Sequence, residues 1–321
     1  YVPGNIEGDW IGVDLSAFII SGFTFQTGRV DSNYGSNFMT VLGDLVPTSE
    51  LVIQSGSDIN VTTGPSFAST GTGAQLNTGD LEDALASSDA NVSTGAGLVQ
   101  SILVNEEIDS DFGNSLSLEA SESILAGTSA IVLSSTYTDP GSISLISANS
   151  SVNTGHLEAD ALAPLSTSGN ITINAAYNIT VTGDLDTSAL YTNSQGGNVN
   201  LTAGNNIAID NIMTGNGDSP NSGAPGNISI SASDSIDIQD IYNNSGYTFS
   251  PTAVLSATSI TLGLDAPNPP NLSGTLYLQH PAGTPGALIE LGGAITGYVS
   301  LVIDSGSGSA LLYSEADYTG D

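Results

Sequence analysis

The stretch from Gly169 to Tyr242 states one pattern three times. Gly169 opens GNITINAAYNITVTGDLDT, Gly197 opens GNVNLTAGNNIAIDNIMT, and Gly226 opens GNISISASDSIDIQDIYN. The starts lie 28 and 29 residues apart. A period of that length is the mark of a solenoid, in which each repeat buries its apolar face only against its neighbours. No other feature restricts the fold as strongly.

Aligning the three units turns the period into columns. Ile171, Val199 and Ile228 form one, and Ile173, Leu201 and Ile230 the next. Ala175, Ala203 and Ala232 follow, then Ile179, Ile207 and Ile236, then Val181, Ile209 and Ile238. Leu185, Ile212 and Ile241 close the set. Within a unit these positions alternate with Thr, Ser, Asn and Asp, the two-residue period of a half-buried strand. Each unit therefore predicts two short strands and a third inward residue after a turn. Asn178 and Asn206 also align, with Ser235 below them, and predict a ladder of side-chain amides along the axis.

The pattern extends in both directions. Asn114 opens NSLSLEASESILAG and Gly141 opens GSISLISANSSVNTG, which continues the spacing at about 28 residues per rung. The clearest rungs run over 114–262, an irregular Pro-rich loop DAPNPPN covers 265–271, and looser rungs continue to the C-terminus. Upstream, LVIQSGSDINVTTG from Leu51 alternates in the same way, and Thr78 to Leu85, TGDLEDAL, predicts a short helix with Thr78 or Asp80 as its cap. The tails Thr192 to Gly196, Gly215 to Pro225 and Asn243 to Pro251 are rich in Gly, Pro, Asn and Ser and read as loops projecting from a rod. The expected fold is all-β: a parallel β-helix, or β-solenoid, over 51–321.

Residues 1–50 do not fit the repeat. They hold Trp10, Ile11, Phe18, Ile20, Phe23 and Phe25, the most aromatic and apolar part of the chain. A solenoid end exposes unpaired backbone and core, so this segment reads as a cap or as a connector that docks on another subunit.

At this point the residues carry a resemblance. GNITINAAYNITVTGDLDT and GNVNLTAGNNIAIDNI, together with TGDLEDALASSDANVSTGAG (Thr78 to Gly97) and NSLSLEASESI, resemble the repeats of filamentous-haemagglutinin-type bacterial exoproteins. The likeness spans roughly residues 51–262. It implies a right-handed parallel β-helix, secretion, and a role as an adhesin or surface fibre. The chain begins at Tyr1, which reads as a processed or trimmed start.

Charge narrows the partners. Arg29 is the only Lys or Arg, against 33 acidic residues, for a formal net charge of −32. Neutralising nucleic-acid phosphates needs Lys and Arg, so nucleic acid is not an expected partner. Anionic lipid is set aside on the same ground, and no apolar run has the length of a membrane span. There is no Cys, which removes disulfides and thiolate chemistry.

Chemistry on the repeat is weighed last. Paired carboxylates could serve a glycosidase, and Asp184 with Asp186 is such a pair. A lyase would need a basic residue that the repeat lacks. Asp184, Asp210, Asp237 and Asp240 fall near equivalent turns of successive units, and stacked carboxylates could recruit Ca²⁺ through oxygen ligands; solvated carboxylates are the simpler reading. No other cofactor is expected. His156 and His280 stand isolated in sequence and read as turn residues. Among the N-glycosylation sequons, Asn243 and Asn271 sit in predicted loops. The expectation is a non-enzymatic, secreted structural protein of the extracellular space or cell surface, a rigid acidic solenoid whose main partner is itself. An adhesin segment that binds glycans or neighbouring cells through projecting loops is the alternative, and a carbohydrate-active enzyme the second alternative.

Overall fold

The structure is a computed structural model. It describes residues 11–14, 39–42, 50–54, 58–62, 74–94, 99–191, 193–215, 223–242, 252–262, 274–280, 288–291, 299–304 and 309–312. The chain folds as an all-β parallel solenoid of about 27 residues per turn, with almost no helix. Among the described residues, no helix is long and apolar enough to cross a membrane.

Two long sheets make the walls. The first has ten strands, beginning with Glu50–Gln54 and Asp89–Ser93 and ending with Gly274–Gln279 and Val299–Asp304. The second has 14 and includes Ile59–Thr62, Val152–Thr154, Ile179–Asp186, Asn206–Met213, Ser235–Tyr242 and Ser309–Leu312. Every pairing in both is parallel, because the chain returns to the same wall one turn later, always in the same direction.

The inward columns expected from the repeat are the register of these sheets. Ile171 pairs with Val199 and Val199 with Ile228; Ile173, Leu201 and Ile230 do likewise, as do Ala175, Ala203 and Ala232. On the second wall Ile179–Ile207–Ile236, Val181–Ile209–Ile238 and Leu185–Ile212–Ile241 stack in turn. All are buried and belong to one continuous core. Like packs on like because a column repeats the same shape at each strand spacing of ~4.8 Å. Towards the C-terminus the turn shortens. Ala253 lies 25 positions after its partner Ile228, and Leu276 lies 23 after Ala253.

Polar side chains stack as regularly. Asn206 Nδ2 donates to Asn178 Oδ1 at 3.2 Å, and Ser235 Oγ donates to Asn206 Oδ1 at 2.6 Å, so the expected amide ladder is present. A second ladder, not anticipated, precedes the first wall. Ser115 N–H donates to Asp89 Oδ1, Ser142 N–H to Ser115 Oγ, and Asn170 N–H to Ser142 Oγ. Asn198 N–H then donates to Asn170 Oδ1, Asn227 N–H to Asn198 Oδ1, and Thr252 N–H to Asn227 Oδ1. Each rung's side-chain oxygen thus accepts a backbone N–H of the next. Hydroxyls, amides and a carboxylate all serve because only an acceptor is required.

The glycine before each of these Asn residues, and before Ser142, is fixed by space. Gly141, Gly169, Gly197 and Gly226 stack, and a Cβ on any of them would lie inside the carbonyl group of the rung above. The GN dipeptide is therefore one device: glycine for close backbone approach, asparagine for the ladder.

The first turns depart from simple winding. Ala74–Asn77 pairs with Ile59–Thr62 on the side away from Ile102–Val104, so the chain steps back before it advances. The helix Thr78–Leu85, with the bounds expected, then returns it. This excursion is why Leu51 and its partner Ala90 are 39 positions apart. The helix buries Leu81, Ala84 and Leu85, and Glu82 Oε1 accepts the N–H of Asp109 at 2.9 Å. It thereby covers the edge strand Ile108–Asp109, an exposed edge being a template for unwanted pairing. The Thr78 hydroxyl is buried without a hydrogen-bond partner, so of the two expected caps Thr78 does not act as one.

One further expectation needs correction. The tails of the repeat units do not all project. Thr167 bridges Gln195, Gln195 bridges Ala224, and Ser194 Oγ donates to the carbonyl of Ala163. Small residues let these turns stack: a Cβ on Gly223 would press into the backbone of Ser194. Residues 216–222 and 243–251 of the expected loops, like Trp10, Phe18, Ile20, Phe23, Phe25, Asn243 and Asn271, lie outside the described residues. Ile11 begins a strand, Ile11–Asp14, paired in parallel with Met39–Leu42.

The stacked tails carry backbone strain. Leu165 and Asn193, 28 positions apart, both have φ of 64°. Asparagine tolerates this left-handed conformation, and leucine does not. Leu165 is 76% exposed and so gains little from burial. Leu165→Gly is expected to stabilise the fold by about 1 kcal/mol, read as a small rise in Tm.

Candidate functional site

After the second wall the chain bends and runs along a third, shorter wall. Gly155 and Gly183 make the bend: a Cβ on Gly183 would stand 3.0 Å from the backbone nitrogen of His156 in the turn above. Between Val181 and Asp184 the register shifts by a bulge, which re-aims the side chains that follow. The residues beyond the bend are Leu157–Glu158 and the second halves of Ile179–Asp186, Asn206–Met213 and Ser235–Tyr242.

This wall gathers His156, Glu158, Asp160, Asp184 and Asp186. His156 Nε2 lies 3.0 Å from Glu158 Oε2, and its Nδ1 lies 3.8 Å from Asp184 Oδ2. Glu158 is in register with Asp186 of the next rung. Asp186 Oδ1 accepts the N–H of Ser188 at 2.8 Å, and Asp184 Oδ1 accepts from Asn211 Nδ2 at 2.7 Å. Asp160 is only 7% exposed, and its Oδ1 has no hydrogen-bond partner.

The environments push the acids apart. The hydrogen bond from His156 lowers Glu158 and raises His156, the ordinary behaviour of an ion pair. Burial, with the hydrogen bond to Glu158 and the charges of Glu158 and Asp186, raises Asp160 to about 8. Burial also raises Asp186. Asp160 therefore favours its protonated form beside the carboxylate of Glu158, which His156 holds at 3.0 Å. His156, Glu158 and Asp160 thus stand in a row, with burial favouring the neutral form of Asp160 and the His156 hydrogen bond favouring the ionised form of Glu158.

Glycosidases hold their two carboxyl groups about 5 Å or more apart, with the sugar bond between them. Here Glu158 is tied to His156 at 3.0 Å, and Asp160 is buried. Asp184 and Asp186, the expected pair, are tied to Asn211 and Ser188.

Of the carboxylates considered for Ca²⁺, only Asp184 and Asp240 share a column, and not on adjacent rungs. Asp184 pairs with Asn211 and Asn211 with Asp240, so an amide separates the two acids. Asp237 pairs with Ala208, and Asp210 accepts from Gln239 Nε2 at 3.2 Å. Asp240 is buried and accepts from the Tyr242 hydroxyl at 2.6 Å. Among the described residues, no group of three or more His, Asp or Glu is arranged to hold a metal ion.

His156, read from sequence as an isolated turn residue, is the centre of the cluster. The signal was available: His156 and Asp184, like Glu158 and Asp186, are 28 positions apart, the same period that built the apolar columns. Tyr137 and Tyr191 lie outside this cluster. Both are exposed, and each stands two residues beyond the bridges that join Ser135, Ala161 and Ala189. Comparison with known proteins returned no matching family model, curated protein or solved structure.

Proposed function

We propose that this protein is a secreted, non-enzymatic structural element: a rigid acidic solenoid that builds an extracellular fibre or surface layer by joining end to end. The observation that carries this reading is the continuity of its two long sheets. They run in one register, with backbone and side-chain ladders in parallel, and they end in strands: Glu50–Gln54 and Ala74–Asn77 at one end, Val299–Asp304 and Ser309–Leu312 at the other. A terminal strand presents a row of N–H and C=O groups of the kind that extends a parallel sheet. A head-to-tail contact of this type repeats without closing and so gives filaments. The apolar segment around Trp10 to Phe25 is the docking element in this reading.

Negative-stain microscopy of the purified chain at rising concentration tests it. Filaments with a smooth, unbranched outline are expected, lengthening with concentration and with salt that screens the acidic surface. Discrete rods one molecule long at every concentration would sink the proposal.

A further inference from the structure

The acidic residues are not spread evenly around the rod. The third wall and the turns carry Asp109, Glu158, Asp184 and Asp186, and the outer side of the second wall carries Asp237 and Glu290. The outer side of the first wall is different. One of its outward columns reads Ser144, Thr172, Asn200, Ser229, Val254 and Tyr277. The column two residues on, from Ile146 to Gln279, is equally free of charge. This neutral face spans six strands, with Glu119 beyond one end and Asp304 beyond the other. Its last part is partly apolar: Val254, Tyr277 and Val302 are consecutive in the first column, with Tyr277 39% and Val302 41% exposed.

We propose that this outer face of the first wall, between Ser144 and Gln279, is the surface on which two copies of the chain pair side by side. A rod with a net charge of −32 repels its own kind, so two copies approach closely only through a face that brings no charges together. Sheets pack face to face at about 10 Å, close to the Debye length of about 8 Å at physiological salt. Charges on the other walls lie a further rod thickness away and are largely screened. Columns of Ser, Thr and Asn at strand spacing interdigitate with an identical set, and the Val–Tyr–Val column adds apolar contact. A two-fold axis supplies the same face from both copies.

Area sets the strength. Six strands at ~4.8 Å, each five residues at ~3.3 Å, give roughly 500 Å² per copy, below the ~800 Å² of a standard stable interface. Single rods therefore pair weakly and transiently. The gain from joining many such faces along a fibre rests on the end-to-end reading above. The pairing itself does not.

The test uses the absence of cysteine from the chain. Thr202→Cys places a thiol at the centre of the neutral face, and Ala208→Cys places one on the outer side of the second wall; both positions are exposed. Each full-length variant is oxidised mildly at equal concentration and physiological salt, with circular dichroism as the check of folding. Disulfide-linked dimers are expected to form about tenfold faster for Thr202→Cys, because pairing raises the local thiol concentration. Adding Asn174→Glu to Thr202→Cys should abolish the difference. Equal rates for Thr202→Cys and Ala208→Cys overturn the proposal, whether or not filaments form. Equal rates together with retention on a neutral polysaccharide matrix would give the face to a glycan instead. Faster linkage at Thr202 without filaments would remove the end-to-end reading and leave the pairing standing.

Discussion

Gly197→Ala is expected to cost about 3 kcal/mol or more, a loss of roughly 6–12 °C in Tm. The reason is steric. The new Cβ would lie inside the carbonyl group of Gly169, and it would also meet the carbonyl oxygen of Ser168 at 3.0 Å. Gly169 cannot retreat, because it is packed in the same way against Gly141. The strain would have to be relieved by parting two turns, which breaks ladder bonds on both walls. Gly127→Ala is the control. Gly127 has a φ of +59°, yet nothing lies within 4 Å of its would-be Cβ. It should cost only about 1 kcal/mol, the conformational penalty alone. Thermal unfolding followed by circular dichroism separates the two. If both substitutions cost the same, the turns are not locked at the glycine column.

The second large effect is on pH. A carboxyl whose folded pKa lies above its unfolded value stabilises the fold less as pH rises, because the unfolded chain gives up its proton first. Asp160, raised to about 8, is the strongest case, and Asp186, Glu82, Asp109 and Asp240 shift in the same direction, each chiefly through burial. His156, also raised, contributes stability that is present below its unfolded pKa and lost as pH rises through its folded one. Only Glu158 among the shifted groups acts the other way, and its contribution is lost as pH falls through its lowered pKa. The protein is therefore expected to gain stability on mild acidification, with Tm rising by on the order of 5 °C from pH 8.5 to pH 5.5. Asp160→Asn supplies a permanent donor to Glu158. It should match the wild type at pH 5.5, exceed it at pH 8.5, and flatten the profile between. A wild-type Tm that rises with pH over this range, or an Asp160→Asn profile as steep as the wild type's, would show that the third wall does not hold this proton.

The same period that revealed the core could have revealed this site. Ile173, Leu201 and Ile230 were legible because a column of apolar residues has one explanation, burial. Glu158 over Asp186 keeps the same spacing for one step, but two acids at one spacing read first as solvated surface. What sequence could not supply was the bulge at Val181, after which Asp184 stands 3.8 Å from His156. The stacked tails were hidden for a related reason. Gly, Ser and Asn are the residues of free loops, and they are also those small enough to stack when a turn like Ser166–Gly169 has a copy of itself beneath it.

By itself the sequence determined the period, the identity of the inward columns, the helix Thr78–Leu85 and the Asn178–Asn206 ladder, because each is a repetition or a local signal that needs no knowledge of what lies across the turn. Tertiary structure alone decided the step back at Ala74–Asn77, the continuous ladder from Asp89 to Thr252, the clustering of four carboxylates around His156, and the neutral face of the first wall. These depend on which residues of neighbouring turns come into register and which way a bulge aims them. That is settled by packing between turns, not by any one turn's own residues.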